Sequence, residues 1–460
     1  MSIHNWYQRH FCGSAGISNL LIIAVPMIIT QAADTVMMFC DRYFLSYLGK
    51  AHMSASMSGC VSLFFLLSLW LGINGYVNVL VAQHYGAKQE NKCSIAVTQG
   101  LILSILAYPI ILLCIPLVEY SFVLSEPHPH QLMLQKEYFF ILTLASPLPL
   151  FRTVLSGFFS GISKTKIVMI ANCAGMLLNI PLTYAMVFGE WGFSALGVAG
   201  AAYGTVIGEL LSFLILASIY LTYHKSFHIR SSLVFDRSMF GKLVRYGLPY
   251  GVEFFVVWTL FGIVIQQFHH YSLDVAAAMT TVFNWELVVL LPMMGLSIAT
   301  TSLVGQQLGA NDIREAKRAL SSSLKVVLIY SLIIMGLFSF YFEELVGIFI
   351  PRNIASQASE AFTLATMILR IAPFYLTAEA LTKSINGALQ GAGDTLWPMK
   401  ATMVIWGFMI PVVVICIRVY ELAPLYSWMI FIITPILTFA AMILRYRSEK
   451  WKRFRLVSTE

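Results

Sequence analysis

The sequence predicts an all-α polytopic membrane protein, with twelve transmembrane helices in two pseudo-symmetric six-helix lobes around a central cavity. Three observations predict it. Of 460 residues, 58% are hydrophobic and only 11% charged, and mean hydropathy is +0.77. Soluble domains carry about 25% charged residues, so a water-soluble core has no use for this much apolar surface. Apolar runs recur at the length of about 20 residues that one membrane crossing needs. Lastly, the stretch Val81-Ala-Gln-His-Tyr-Gly-Ala87 returns as Val304-Gly-Gln-Gln-Leu-Gly-Ala310, 223 positions later.

The same offset aligns Pro26 with Pro249, Gly72 with Gly295 and Leu80 with Leu303. After an indel of seven, an offset of 230 aligns Gly157 with Gly387, Gly161 with Gly391, Thr165 with Thr395 and Pro181 with Pro411. Glycine and proline matches kept in order indicate a duplicated half. The spans fall near 17–47, 54–83, 94–118, 133–157, 165–188, 196–222, 244–270, 275–307, 319–342, 357–388, 396–419 and 424–445. A lipid-facing β-barrel needs alternation over about ten residues per strand. Continuous apolar runs such as Leu101–Leu113 argue against it.

Span 1 opens after Ser14-Ala-Gly-Ile-Ser18 and contains Pro26, Gln31, Asp34, Asp41 and Arg42. Pro26 removes one backbone hydrogen bond and is the expected hinge; neighbouring helices in a membrane tolerate such a kink. Asp34 and Asp41, seven apart, fall on one helical face, and Arg42 points about 100° away from Asp41. Span 2 ends in the repeated motif, and span 3 is plain. Span 4 contains Pro147, Pro149 and Arg152, span 5 ends Asn179-Ile-Pro-Leu-Thr-Tyr184, and Glu209 lies within span 6. Residues 223–243 form the longest polar connection. They are the expected cytoplasmic linker between an N-terminal lobe, 1–222, and a C-terminal lobe, 244–446. Span 7 carries Glu253, span 8 carries Asn284 and Glu286, and span 10 carries Arg370, Glu379 and Lys383. Six spans per half is an even number, so both halves enter the membrane in the same sense. That is the parallel-repeat design that binds substrate between halves.

Lysine and arginine cluster in alternate loops: Lys88 and Lys92, then Lys164 and Lys166, then Lys225, Arg230, Arg237, Lys242 and Arg245, then Arg314, Lys317 and Arg318. The tail, 447–460, continues the series from Arg445 with Arg447, Lys450, Lys452, Arg453 and Arg455, while the intervening loops hold mainly Lys50, Lys136, Arg352 and Arg418. The positive-inside rule puts both termini in the cytoplasm of a multi-pass protein of the cell (inner) membrane. The basic tail reads as topology control and contact with anionic membrane lipids, with no nucleic-acid partner. The first sixteen residues lack the apolar core of a signal peptide. Seven cysteines without a CxxC pair read as small apolar residues.

An ionisable side chain at mid-bilayer costs roughly 2.5–3.5 kcal/mol, so each one needs a reason. Asp34, Asp41, Glu253, Glu286 and Glu379 form an acidic set that reads as a cation- or proton-coupling site; the bland alternative is a set of structural carboxylates held by hydrogen bonds. The set is not duplicated, because Asp41 aligns with Val264 and Glu253 with Thr30. Glu379 and Lys383 are an i,i+4 pair in the favourable order. Glu209, Arg152 and Arg370 read as packing or end-of-span charges. Asn179, Asn284 and Lys383 are candidates for the substrate cavity. Trp258 and Trp285 join them as cation–π partners for organic cations. There is no HExxH, no P-loop, no GxSxG and no DDxxD pair, which argues against an enzyme and against a bound cofactor. With no nucleotide site, the energy source is an ion gradient, with Na+ or H+ as coupling ion.

Pro26 followed at +15 by Asp41, then Leu48-Gly49, resembles the first helix of the multidrug and toxic compound extrusion (MATE) transporters. So do the Val-x-Gln-x-x-Gly-Ala motifs after spans 2 and 8, Gly197-Val-Ala-Gly-Ala-Ala202, and Gly387-Ala-Leu-Gln-Gly-Ala-Gly-Asp-Thr395. The resemblance covers nearly the whole chain, with the motifs in order. It implies twelve helices in two lobes around a V-shaped cavity, and export of organic cations and drugs in exchange for Na+ or H+. Carried over, Asp41 matches the coupling acid of helix 1, Glu379 the acid of helix 10, and Asn179 an asparagine of helix 5. The helix 7 acid of the family falls on Val257, with Glu253 one turn earlier as its substitute. For Na+ the expected ligands are Asp41, Glu253 and Glu379. Thr183 stands where the DinF-like branch has an aspartate, which favours a NorM-like relative.

The leading expectation is a cation-coupled antiporter that acts as a monomer on amphipathic, cationic compounds. The alternative within transport is a lipid-linked saccharide or lipid flippase of the same superfamily, which calls for several cavity Arg or Lys residues to hold phosphate. Carboxylates outnumber basic residues in the spans, which favours cationic cargo. An intramembrane enzyme lacks its motifs, and a scaffold protein does not explain several buried acids.

Overall fold

The structure, a computed structural model, describes residues 13, 15–124, 129–350 and 360–454. Ser14, Arg352, positions 357–359 of the tenth expected span and residues 455–460 of the basic tail lie outside them. Among the described residues every regular element is helical. The first half contains α1 (Ile17–Leu48), α2 (Lys50–Gly75), α3 (Val77–Gly86), α4 (Glu90–Leu113), α5 (Ile115–Leu124), α6 (Pro129–Leu144), α7 (Pro147–Gly161), α8 (Thr165–Phe188) and α9 (Val198–Thr222). The second contains α10 (Arg237–His269), α11 (Leu273–Gly309), α12 (Ile313–Phe340), α13 (Phe342–Phe349), α14 (Glu360–Ala392), α15 (Leu396–Arg418), α16 (Pro424–Phe431) and α17 (Ile433–Arg447).

Eleven segments are long and apolar enough to cross a membrane, with α2–α3 and α16–α17 each counting as one. A twelfth is the pair α6 and α7, bent by 46°. The bend has a local cause. Pro147 lacks an N–H and its ring crowds the preceding turn, so the helix breaks at Ala145 and Ser146 and resumes with Pro147 at its first position.

The duplication is written in the backbone. At the end of α3, Lys88 takes a left-handed φ of 57°, Gln89 N–H bonds His84 O at 2.8 Å, and Lys88 N–H bonds Tyr85 O at 3.0 Å. At the end of α11, Asn311 takes φ 62°, and the bonds Asp312 to Gln307 and Asn311 to Leu308 repeat those lengths. The second sequence offset shows the same pairing. Ser163 closes α7 with Lys164 N–H on Phe159 O at 2.8 Å, and Gly393 closes α14 with Asp394 N–H on Leu389 O at 2.9 Å. All four are Schellman closures, which satisfy carbonyls that the helix end would leave open. Asp312 then caps α12, accepting from Arg314 N and Glu315 N at 3.0 and 2.9 Å.

The chain forms two compact units. One comprises Val25–Phe255 and Leu308–Asn311. Inside it α2 and α10 cross backbone to backbone. A Cβ on Gly72 would stand 2.5 Å from Gly251 Cα, and one on Gly251 would stand 2.5 Å from Leu69 O. Small residues replace large ones at such crossings because lipid supplies no hydrophobic drive between helices, leaving close contact to hold them. The other unit comprises the described residues of Met1–Ala24, Val256–Gln307 and Asp312–Arg455. Its core is aromatic. Phe268, Phe283, Tyr375 and Phe431 set their ring centroids 5.0–6.1 Å from that of Trp428, which is fully buried. Ala15, just before α1, belongs here, held by Ser322 Oγ on its O at 3.0 Å.

Candidate functional site

Asp41 sits on α1, 3% exposed. Thr205 Oγ1, from α9, donates to its Oδ2 at 2.6 Å. Asn179 and Thr183, from α8, stand beside the same carboxylate, and Asn179 Nδ2 donates to Thr183 Oγ1 at 3.2 Å. Asn179 Oδ1 is buried without a hydrogen-bond partner, and Asp41 Oδ1 is buried with no hydrogen bond of good geometry. Helix periodicity explains the pairing: Asn179 and Thr183 are one turn apart, so both project to the same side of α8. The approach of α8 to α9 depends on Gly204, where a Cβ would lie 2.2 Å from Thr183 Oγ1. The result is a buried nest of oxygens around one carboxylate. Such a group gains by taking up a proton or a small cation.

Two turns along α1, Asp34 faces a different set of partners. Arg152 of α7 brings Nη1 to 3.4 Å from each Asp34 oxygen and Nε to 2.8 Å from Glu209 Oε2 of α9. Asn172 of α8 donates Nδ2 to Asp34 Oδ1 at 3.3 Å. Arg152 and Glu209, by sequence packing or end-of-span charges, join Asp34 in one ionic trio. Nothing in the spacing announces this, because the pairs are 118 and 57 positions apart.

In the other unit Glu286 of α11 is 6% exposed, and Tyr375 of α14 donates its hydroxyl to Glu286 Oε1. Glu379, one turn beyond Tyr375, lies within electrostatic range of Glu286. Lys383 Nζ is 4.0 Å from Glu379 Oε1, so the expected i,i+4 pair forms. Tyr375 was not singled out from the sequence; its spacing from Glu379 was the available signal.

Glu253 is buried in the unit that contains Asp41, and Asn284 is partly buried on α11. Among the described residues no three His, Cys, Asp or Glu side chains group closely enough to hold a metal ion. Of the residues expected to hold Na+, Asp41 and Glu253 lie in one unit and Glu379 in the other. Trp285 donates its indole N–H to Leu345 O at 3.0 Å and packs edge-on against Phe338 and Phe349, which engages it in packing. Trp258 meets Phe261 edge-on at 6.2 Å. Arg370 lies over the ring of Phe342 at 4.6 Å. Pro26 lies inside α1, and Thr30 Oγ1 bonds its carbonyl at 2.9 Å, a back-bond that favours bending.

The MatE family model matches residues 26–185 and again 249–415; the two matches start 223 residues apart and end 230 apart, the two offsets found in the sequence. The chain is 26% identical over 415 residues to a probable multidrug resistance protein NorM of Synechocystis sp., covering 87% of each protein. It is 28% identical over 385 residues to the multidrug resistance protein NorM of Vibrio cholerae, covering 82% of each. Among solved structures, a crystal structure of MATE in the straight conformation superposes with a TM-score of 0.83 at 18% identity, over 95% of this chain and 97% of that one. An outward-facing multidrug resistance MATE family transporter of the MOP superfamily gives 0.81 at 19% identity, over 96% and 97%.

Proposed function

This chain belongs to the MatE family, and from that premise we propose that it is a secondary active antiporter, not an enzyme. It exports amphipathic, cationic drugs or toxic organic compounds in exchange for Na+ or H+. It works by alternating access of its two halves, as a monomer in the inner membrane with both termini in the cytoplasm. The drug cargo takes support from relatives named as multidrug resistance proteins.

The observation that carries the coupling mechanism is Asp41. Its carboxylate is buried on a helix long enough to cross a membrane, held at 2.6 Å by Thr205 and flanked by Asn179 and Thr183. Taking up Na+ or a proton neutralises it. Releasing either restores a negative charge in a poorly hydrated site. The two charge states favour different hydration and different bends of α1 about Pro26. That supplies the two states of one element that alternating access requires. Glu286 and Glu379, with Lys383, provide a second acidic station, and Glu253 a further one. The flippase alternative calls for cationic side chains available to phosphate. Arg152 is committed to two carboxylates and Lys383 stands beside Glu379, which favours cationic cargo.

Asp41→Asn keeps the shape of the side chain but cannot exchange charge. It is expected to fold and insert normally, to keep binding cargo and to lose gradient-driven ethidium or norfloxacin efflux in proteoliposomes. Imposing a Na+ gradient and a pH gradient separately identifies the ion. Wild-type efflux by Asp41→Asn at equal protein level would remove Asp41 from the mechanism and leave Glu253, Glu286 and Glu379 as the coupling groups.

A further inference from the structure

Asp34, Arg152 and Glu209 hold three charges that do not cancel. Arg152 and Glu209 are the close pair, at 2.8 Å, with side chains 17% and 15% exposed. Asp34 is held only at 3.4 Å and is 33% exposed. The tight pair is neutral as a unit, so Asp34 supplies a surplus negative charge, loosely held and the most accessible of the three. Surplus charge inside a membrane span calls for a counter-charge. A second observation says what kind. Asn172, 3% exposed, spends its Nδ2 on Asp34 Oδ1, while its Oδ1, on the same carboxamide, is buried with no hydrogen-bond partner. Beside Asp34, then, lies one unsatisfied carbonyl acceptor. Cys173, also on α8, is a further titratable neighbour and adds no cation.

A negative charge and an orphan acceptor side by side fit a cation that bears N–H donors. We propose that Asp34 and Asn172 form a cargo subsite for a primary or secondary ammonium group, and that Arg152, anchored on Glu209, is the positioning residue that keeps Asp34 available. This rests on the reading of the chain as an exporter of organic cations and names the head group that this subsite prefers. A quaternary ammonium neutralises Asp34 but leaves Asn172 Oδ1 without a donor, so it binds less well. Glu209 matters at a distance. Without it, the guanidinium has only Asp34 to pair with, and the subsite closes on itself.

The test is equilibrium binding of benzylammonium and benzyltrimethylammonium to purified full-length protein at neutral pH, with no gradient. The wild type should bind benzylammonium about tenfold more tightly, the worth of one charge-assisted hydrogen bond. Asn172→Val should erase that preference while leaving the affinity for benzyltrimethylammonium in place. Asp34→Asn should weaken both ligands, and Glu209→Gln should do the same with Asp34 still present, while Glu209→Asp rescues. Equal affinity of the wild type for the two ligands, or a preference that survives Asn172→Val, overturns the subsite. Should Asp34→Asn fail to fold, Asn172→Val decides alone. Because no gradient is used, the result is independent of whether export is ion-coupled; an exporter that treats the two ligands alike loses the subsite and keeps its function.

Discussion

Arg445 grips Asp394 with two parallel contacts, Nε to Oδ2 at 2.6 Å and Nη2 to Oδ1 at 3.1 Å. The pair ties the end of α17 to the turn between α14 and α15. Asp394 is 1% exposed, and the guanidinium also lies 5.4 Å from the Trp397 ring centroid. The position related to Asp394 by the second repeat offset is Lys164, which donates to Tyr223 at the end of α9 at 2.9 Å. Both halves thus fasten their last helix to the equivalent turn, with different chemistry.

Breaking a buried bidentate pair leaves one charge uncompensated, at a cost of roughly 3–5 kcal/mol. Asp394→Asn is therefore expected to lower the thermal midpoint of the purified protein clearly. Asp394→Asn combined with Arg445→Met should recover much of the loss, because no stranded charge remains. Lys164→Met, at a more exposed contact, should change the midpoint little. Equal effects of Asp394→Asn and Lys164→Met would show that the pairing is not what matters.

Orientation follows from the loop charges. A cysteine replacing Lys50, at the start of α2, should react with a membrane-impermeant thiol reagent added outside the cell. One replacing Arg314, in the first turn of α12, should react only after permeabilisation. The reverse labelling pattern would invert the topology.

The tail gives a pH prediction. Glu449 accepts from Lys317 Nζ and Lys452 Nζ, both at 2.5 Å. These two cations, Lys317 first, hold its carboxyl down to about 2 from the ordinary value of 4.5. The folded value is the lower one, so the contact favours the docked tail above about pH 4.5 and fades as pH falls towards about 2. Hydrogen exchange of residues 446–453, taken relative to the intrinsic amide rate at each pH, should therefore be unchanged from pH 7 to pH 5 and rise only in stronger acid. Glu449→Gln should raise it already at pH 7. High salt should act in the same direction, since the contact is exposed. Exchange in Glu449→Gln that matches the wild type would assign docking wholly to Trp451 on Tyr446, stacked at 5.5 Å.

Much of the architecture was legible because membrane helices announce themselves by length and composition, and the repeat by glycine and proline order. The left-handed residues Lys88 and Asn311 close the two copies of the repeated motif with the same two hydrogen bonds. The acids were legible too, since a carboxylate in an apolar run is costly enough to need a reason. Their partners were not. Periodicity tells which face Asp34 occupies on α1, but not that Arg152, Asn172 and Glu209 from three other helices meet it there. Tyr375 escaped notice for a related reason: an aromatic residue in a span is unremarkable until Glu286 is found beneath its hydroxyl.

The last prediction concerns how the Asp41 nest is held open. Gly200, Gly204, Gly208 and Ser212 recur every fourth position along α9, a stripe of small residues on one face. Against it α8 presents Gly175, Asn179 and Thr183. A Cβ on Gly175 would stand 2.0 Å from Ser212 Oγ and 2.5 Å from Gly208 O, and one on Gly208 would stand 2.9 Å from Gly175 O. Backbone carbonyls cannot step aside as a flexible side chain can, so alanine at Gly175 must push the two helices apart. That separation moves Asn179 and Thr183 on α8 away from Thr205 on α9, although none of the three is altered. Gly175→Ala is therefore expected to reduce gradient-driven efflux nearly as much as Asp41→Asn and to lower the thermal midpoint, which Asp41→Asn should not. Gly262→Ala is the control, because a Cβ there meets nothing within 4 Å and should leave both measurements at the wild-type level. Efflux and midpoint unchanged in Gly175→Ala would mean that α8 and α9 tolerate a wider spacing, and that the nest around Asp41 does not depend on their close approach.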